Sequence, residues 1–161
     1  MNRLVLFYSF EGNTGEAARR VAKLCKADLC EVRPVKDIPI SGPGKFLEGG
    51  FKAMFGVGAG ILPPEKDVTS YDEIIIGTPI WAGFPSPYVI NALRDDEVKK
   101  KVIAVFTLSG SGNNHKCVKS LRKRFPNIRQ EVSLFDRVGK KSADNKRKIE
   151  AFVKELYGSE K

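Results

Sequence analysis

The sequence predicts an α/β fold in which a parallel sheet of five strands lies between two layers of helices. Short apolar runs such as residues 74–77 and 102–106 are nearly continuous, which is typical of parallel strands buried on both faces. Segments with helical spacing of apolar residues separate these runs, as in a repeat of strand and helix. At 161 residues and 42% hydrophobic composition, the chain is expected to form one domain over residues 1–161.

The predicted elements alternate along the chain. Strands are expected at residues 3–8, 29–33, 73–77, 101–107 and 128–134, and helices at residues 14–26, 87–95, 114–125 and 142–157. The first helix repeats apolar residues at i, i+3, i+4 and i+7 from Ala18, with Asn13 expected as its N-cap and Glu16 as the capping-box partner. The last helix is amphipathic, with apolar residues on one side and basic residues on the other.

The segment at residues 41–64 does not fit this alternation. It holds seven glycines and three phenylalanines near helical spacing, which predicts a short helix over residues 45–55 and a mobile stretch at residues 56–60. The helix is expected to cover the core, and a lid or contact surface beside the ligand is the alternative.

The polar segment SFEGNT, residues 9–14, directly follows the first predicted strand and opens the first helix. A helix N-terminus leaves backbone N–H groups unpaired and carries a partial positive charge, so it stabilises an anion without a basic side chain. Ser9 and Thr14 add hydroxyl groups, and Gly12 lets the backbone approach a ligand closely. The segment therefore predicts a phosphate-binding loop, with an ordinary capped turn as the alternative.

Two further loops, at residues 78–87 and 107–114, follow the third and fourth predicted strands. The carboxyl ends of parallel strands share one edge of a sheet, so all three loops can reach one ligand. The segments SFEGNT, TPIWAG and TLSGSGN, in this order, resemble the phosphate loop and the two isoalloxazine loops of the flavodoxin family. The resemblance extends from residue 4 to about residue 156. It implies a three-layer flavodoxin-like fold with strand order 2-1-3-4-5.

The resemblance implies FMN as the cofactor, with its phosphate on the first loop and its isoalloxazine ring between the other two. Trp81, the only tryptophan, is expected to supply a flat aromatic surface, with a core tryptophan as the alternative. Glu11 departs from the family pattern, because a carboxylate near a phosphate repels it unless it turns to solvent. The expected FMN-binding residues are Ser9, Phe10, Glu11, Gly12, Asn13, Thr14, Pro79, Ile80, Trp81, Ala82, Gly83, Leu108, Ser109, Gly110 and Gly112.

The net charge of +9 is unevenly distributed, because residues 1–112 carry +1 and residues 113–161 carry +8. The basic runs lie on or beside predicted helices. Such a face can attract an acidic protein, nucleic acid or an anionic membrane, and a solvated helix surface is the alternative. Nucleic acid is not favoured, since the basic runs lack interleaved aromatic residues.

These features favour an FMN-binding redox protein that exchanges electrons with a partner protein or reduces a small acceptor such as a quinone. Ser111 lies near the position where flavodoxins commonly carry a second aromatic residue, which implies one open flavin face. An NAD(P)H:quinone oxidoreductase is the enzyme class that this would fit. The alternative is a non-redox phosphate- or nucleotide-binding regulatory module with a basic contact face, but such a module needs no stacking surface like Trp81.

Other classes of site are not supported by the composition. Three cysteines without a C-x-x-C motif fit neither a disulfide framework nor a zinc site and are expected to be core thiols, and the single histidine excludes a site that needs a histidine pair. No charged leader precedes the first strand and no apolar run reaches 18 residues, so a cytoplasmic protein without a membrane span is expected.

Overall fold

The structure, a computed structural model, describes residues 1–36, 60–136 and 143–158. Its strands are β1 (Arg3–Phe7), β2 (Asp28–Glu31), β3 (Glu73–Trp81), β4 (Phe84–Pro85), β5 (Val102–Ser109) and β6 (Gln130–Phe135). Its helices are α1 (Asn13–Cys25), α2 (Pro87–Ala92), α3 (Asp96–Lys99), α4 (His115–Arg124) and α5 (Asn145–Tyr157), with a 3-10 turn at Val68–Ser70. None of these described helices has the length and apolar character needed to cross a membrane. The helix expected at residues 45–55 lies outside the described residues.

Five strands pair in parallel in the order β2-β1-β3-β5-β6. This order is the predicted 2-1-3-4-5 with the two-residue strand β4 left out, so the α/β prediction is confirmed. Strand β4 pairs antiparallel with the end of β3, where Phe84 lies opposite Trp81. Ala82 and Gly83 connect the two strands with φ angles of 51° and 83°, as in the two-residue turns of tight β-hairpins.

The sheet separates two hydrophobic cores. Helices α1 and α5 cover one face, and α2, α3 and α4 cover the other. Side chains of β3 alternate between the two cores, with Ile75 on the α1 side and Ile74 and Ile76 on the opposite side. All residues of β5 are buried, because a central parallel strand is covered on both faces.

The three cysteines lie in these cores, as expected from the sequence. Cys25, Cys30 and Cys117 are free thiols and are buried. Burial raises the pKa of Cys117 to about 12, and the charge of Glu131 acts in the same direction. The Cys117 thiol is therefore protonated, and hence unreactive as a nucleophile, at neutral pH.

Several boundaries differ from the predicted ones for local physical reasons. The helix predicted at residues 87–95 ends at Ala92, and a separate short helix, α3, was not predicted. The side chain of Asp95 caps α3 by accepting hydrogen bonds from the N–H groups of Glu97 and Val98. The N-cap of α1 is Gly12 in the left-handed conformation, so the prediction of Asn13 as N-cap was wrong. Strand β3 runs on to Trp81, through residues predicted to form a loop.

We predict that Gly77→Ala destabilises the sheet. Gly77 pairs with Phe106 across β3 and β5, and a Cβ at this position would overlap the Phe106 ring. Overpacking of this kind is expected to lower the free energy of unfolding by about 1–3 kcal/mol, measured by urea denaturation. The matched control is Gly110→Ala, where a Cβ meets no atom within 4 Å and a change of no more than about 0.5 kcal/mol is expected. Equal losses in the two variants would contradict the packing argument.

Candidate functional site

A cleft of about 370 Å³ opens at the carboxyl edge of the sheet. Its walls come from the loop between β1 and α1, the end of β3 with its hairpin turn, the loop after β5, and the residue after β6. The lining residues are Phe10, Glu11, Asn13, Thr14, Pro79, Ile80, Trp81, Ala82, Gly110 and Asp136. The volume is in the range of small-molecule sites. The three loops predicted to share one ligand therefore meet at one cleft.

The N-terminus of α1 forms the polar end of the cleft. Gly12 adopts a φ of 90°, which favours glycine, and its carbonyl accepts the N–H of Glu16 at 3.0 Å. Ser9 Oγ accepts the N–H of Gly15 at 3.1 Å and so satisfies one of the free amides of the first turn. The N–H groups of Asn13 and Thr14 find no acceptor among the described residues. They are available to an anion at the positive end of the helix.

Aromatic rings hold Trp81 in the wall of the cleft. The Trp81 ring lies 5.5 Å from the ring centroid of Tyr8 and 6.3 Å from that of Tyr88, nearly perpendicular to both. Phe10 makes a third edge contact at 6.2 Å. Such edge-to-face contacts fix the orientation of the indole. Trp81 is therefore a half-buried residue at the end of β3 that packs on the core and also lines the cleft.

The loop after β5 contributes little side-chain volume to the cleft. Gly110 is exposed, and a Cβ there would meet no atom within 4 Å. Ser109 Oγ accepts the N–H of Gly112 at 3.0 Å, which holds the turn closed. Gly112 has a φ of 72° and lies against the Phe135 ring, where a side chain would overlap it. This wall of the cleft is formed mainly by backbone.

Nine of the fifteen residues expected at the ligand line this cleft, and six do not. The six are Ser9, Gly12, Gly83, Leu108, Ser109 and Gly112. Ser9 and Ser109 accept hydrogen bonds that shape the loops, and the three glycines have positive φ angles. Leu108 is buried in the core beneath the loop. These residues support the walls of the cleft without forming its surface.

Asp136 lines the cleft but was not predicted from the sequence. Strand β6 was expected to end at residue 134, and it continues to Phe135, so the next residue reaches the carboxyl edge of the sheet. Burial raises the pKa of Asp136, and the negative charge of Glu11 raises it further. The described lining of the cleft thus carries two carboxylates and no lysine or arginine.

The chain is similar to known proteins in both sequence and fold. The family model described as Flavodoxin matches residues 59–151, which is more than half of the chain. The match begins after the SFEGNT loop. No curated protein sequence gives a significant match.

Solved structures with the same fold include several flavoproteins. The crystal structure of a flavoprotein in complex with FMN from Lactobacillus acidophilus has a TM-score of 0.63 at 22% identity, covering 91% of this chain and 97% of that chain. A candidate flavoprotein from Bacteroides eggerthii has a TM-score of 0.69 at 19% identity, covering 96% and 97%. Two-electron reduced flavodoxin from Megasphaera elsdenii has a TM-score of 0.54 at 17% identity, covering 94% and 98%.

These structural similarities establish the fold and agree with the observed strand order and the position of the cleft. The family model adds a sequence match across the strands and loops from β3 to α5. The chain therefore belongs to the flavodoxin family.

Proposed function

We propose that the protein is an FMN-dependent redox protein and that FMN occupies the cleft at the carboxyl edge of the sheet. The observation that carries this proposal is that one cleft combines the free N–H groups of α1 with the indole of Trp81. Membership of the flavodoxin family and the FMN complex of the Lactobacillus acidophilus flavoprotein support the choice of cofactor. When bound, FMN supplies reversible transfer of electrons or hydride.

The phosphate end of FMN fits the first turn of α1. The N–H groups of Asn13 and Thr14 would donate to the phosphate, and the Thr14 hydroxyl would add a further donor. Thr14 is only 3% exposed, so its position is fixed by packing before the ligand arrives. The helix dipole contributes in the same direction without a basic side chain.

The ring end of FMN fits between Trp81 and the backbone wall at Gly110. Trp81 would stack on or beside the isoalloxazine ring and exclude water from it, and Pro79 and Ile80 extend the same wall. The turn at Ala82 and Gly83 holds backbone groups at the rim, where they can bond polar atoms of the ring. The protein would thereby orient the cofactor.

Reduction of a small planar acceptor such as a quinone is a second candidate within the same redox function. The specific observation in its favour is that Gly110 has no side chain and that a Cβ at this position would meet no atom of the described residues within 4 Å. A ring stacked on Trp81 would have no side chain of residue 110 over its other face, where a second flat molecule could lie. The non-redox regulatory module is less well supported, because Trp81 lines the cleft.

Thr14→Ala is expected to weaken FMN binding without weakening riboflavin binding. The variant removes a donor to a charged phosphate, which costs about 1–3 kcal/mol, whereas riboflavin has no phosphate. Quenching of flavin fluorescence gives both dissociation constants. In the unmodified protein, FMN is expected to bind more tightly than riboflavin, and FAD less tightly than FMN. Equal affinity for FMN and riboflavin would rule out the phosphate assignment.

Trp81→Ala is expected to weaken both flavins, because it removes the aromatic surface and not the phosphate contacts. The loss should be about 1–3 kcal/mol for each ligand, and the fluorescence of bound flavin should rise. Trp81→Phe is the matched variant and should retain part of the affinity. Unchanged binding in Trp81→Ala would show that the ring lies elsewhere.

Asp136→Asn and Glu11→Gln are each expected to strengthen FMN binding at neutral pH, because each removes a negative charge from the lining of the cleft that would hold the phosphate. The pKa of Asp136 is raised in the folded protein, so the fold favours the neutral carboxyl. This stabilisation is fully present at pH values below the pKa of the unfolded chain, about 3.9, and it is lost as the pH rises through the pKa of the folded protein. Over the same rise FMN affinity should fall.

Titrations of FMN against pH in the unmodified protein and in Asp136→Asn measure this effect. Ionisation of the phosphate itself is common to both proteins and cancels in the comparison. Riboflavin, titrated in parallel, should show a smaller pH dependence. Identical pH profiles for FMN in the two proteins would contradict the proposed charge repulsion.

A further inference from the structure

Helix α4 presents a basic surface without any acidic residue. Residues 115–124 include five lysines and arginines and one histidine, but no aspartate or glutamate. A groove of about 350 Å³ runs between α4 and the neighbouring strand β6. Its lining residues are His115, Val118, Lys119, Arg122, Lys123 and Glu131. The basic groove, as we call it below, is defined by these six residues.

Most of the positive charge in the basic groove is not neutralised by the residues that the structure describes. Arg122 pairs with Glu131 at 3.0 Å. Lys119 and Lys123 are exposed and form no ion pair with any described residue. They lie four positions apart, so they occupy one face of the helix and repel each other. This arrangement favours an external negative partner over internal pairing.

The first turn of α4, which carries Lys116 beside the basic groove, lies next to the cleft. The Lys116 ammonium lies 4.4 Å from the centre of the Phe84 ring in strand β4. Gly83, in the same hairpin, approaches the aliphatic part of the Lys116 side chain. The neighbouring hairpin residues Trp81 and Ala82 line the cleft.

Helix α4 runs from this edge of the sheet toward the opposite edge, and at about 1.5 Å per residue Lys119 and Lys123 lie about 4.5 Å and about 10 Å further along the helix axis than Lys116. An interface of about 800 Å² per partner spans that distance, so a protein docked on the basic groove also reaches the rim of the cleft.

We infer that the basic groove is a docking surface for an acidic electron-transfer protein, whose redox centre it brings to the rim of the cleft. This inference rests on the proposed function, since electrons must reach a cofactor in the cleft. Its basis is charge complementarity, because unpaired cations beside a redox cleft accelerate the encounter with a negative partner. Each docked protein would give up one electron, and two encounters, with protons taken from water, would complete a two-electron reduction of the cofactor.

The test uses a reduced acidic plant-type iron–sulfur ferredoxin as the probe and the FMN-loaded protein as the acceptor. Stopped-flow absorbance gives the second-order rate constant at several salt concentrations. The test variant is Lys119→Glu with Lys123→Glu. The matched control is Lys23→Glu with Lys26→Glu, which makes the same charge change at the exposed C-terminal end of α1, away from the cleft.

At low ionic strength the α4 variant is expected to react about fivefold to tenfold more slowly than the unmodified protein, and the control variant within about twofold of it. The difference should disappear as added salt shortens the Debye length to a few ångströms. Equal slowing in both variants would show that only net charge matters and would overturn the docking surface. No slowing in either variant would overturn it as well.

Two further measurements keep the outcomes separate. FMN titration of the unmodified protein and of each variant measures cofactor binding. If the proposed function is wrong, the unmodified protein itself will not bind FMN. A mobility-shift assay with a DNA oligonucleotide tests the competing partner. Tight DNA binding that falls steeply with salt and is lost in the α4 variant alone would overturn the inference in favour of a nucleic-acid contact.

Discussion

The parallel register of β1, β3 and β5 is the constraint on which the site depends. The register pairs Phe7 with Gly77 and Gly77 with Phe106, so these strands bring the loops that follow them to one edge of the sheet. A shift of one residue would turn every side chain of a buried strand to the opposite core. The Phe106 ring occupies the space that the missing side chain of Gly77 leaves, and packing therefore supports the same register. The cleft is a consequence of this alignment.

The cleft that would bind the cofactor and the basic side chains of α4 lie in different parts of the protein. The cleft carries the N-terminus of α1 together with Glu11 and Asp136, and no basic side chain among its described lining residues. The basic residues of α4 lie outside, on the surface of a helix whose Lys116 contacts the hairpin. Cofactor binding then depends on fixed backbone dipoles at short range, whereas the encounter with a partner depends on side-chain charges that salt screens.

The strand order and the three loops could be predicted because their signals are local: continuous apolar runs, each followed by small polar residues. The details of the site could not, because they depend on tertiary contacts. The capping role given to Asn13 belongs to Gly12, whose left-handed backbone is supported by the bond from Gly15 to Ser9. Asp136 reaches the cleft only because β6 extends beyond its predicted end, and residue pattern alone does not mark that extension.

Two-dimensional amide NMR during titration with FMN and with riboflavin tests the central claim most directly, since it locates the phosphate and the ring separately. FMN is expected to shift the amide signals of Asn13 and Thr14 and the indole N–H signal of Trp81. Riboflavin should shift the Trp81 signal while leaving those of Asn13 and Thr14 nearly unchanged. Shifts confined to α4 would contradict binding of FMN in the cleft, and equal shifts of the α1 amides by both flavins would contradict binding of the phosphate at α1.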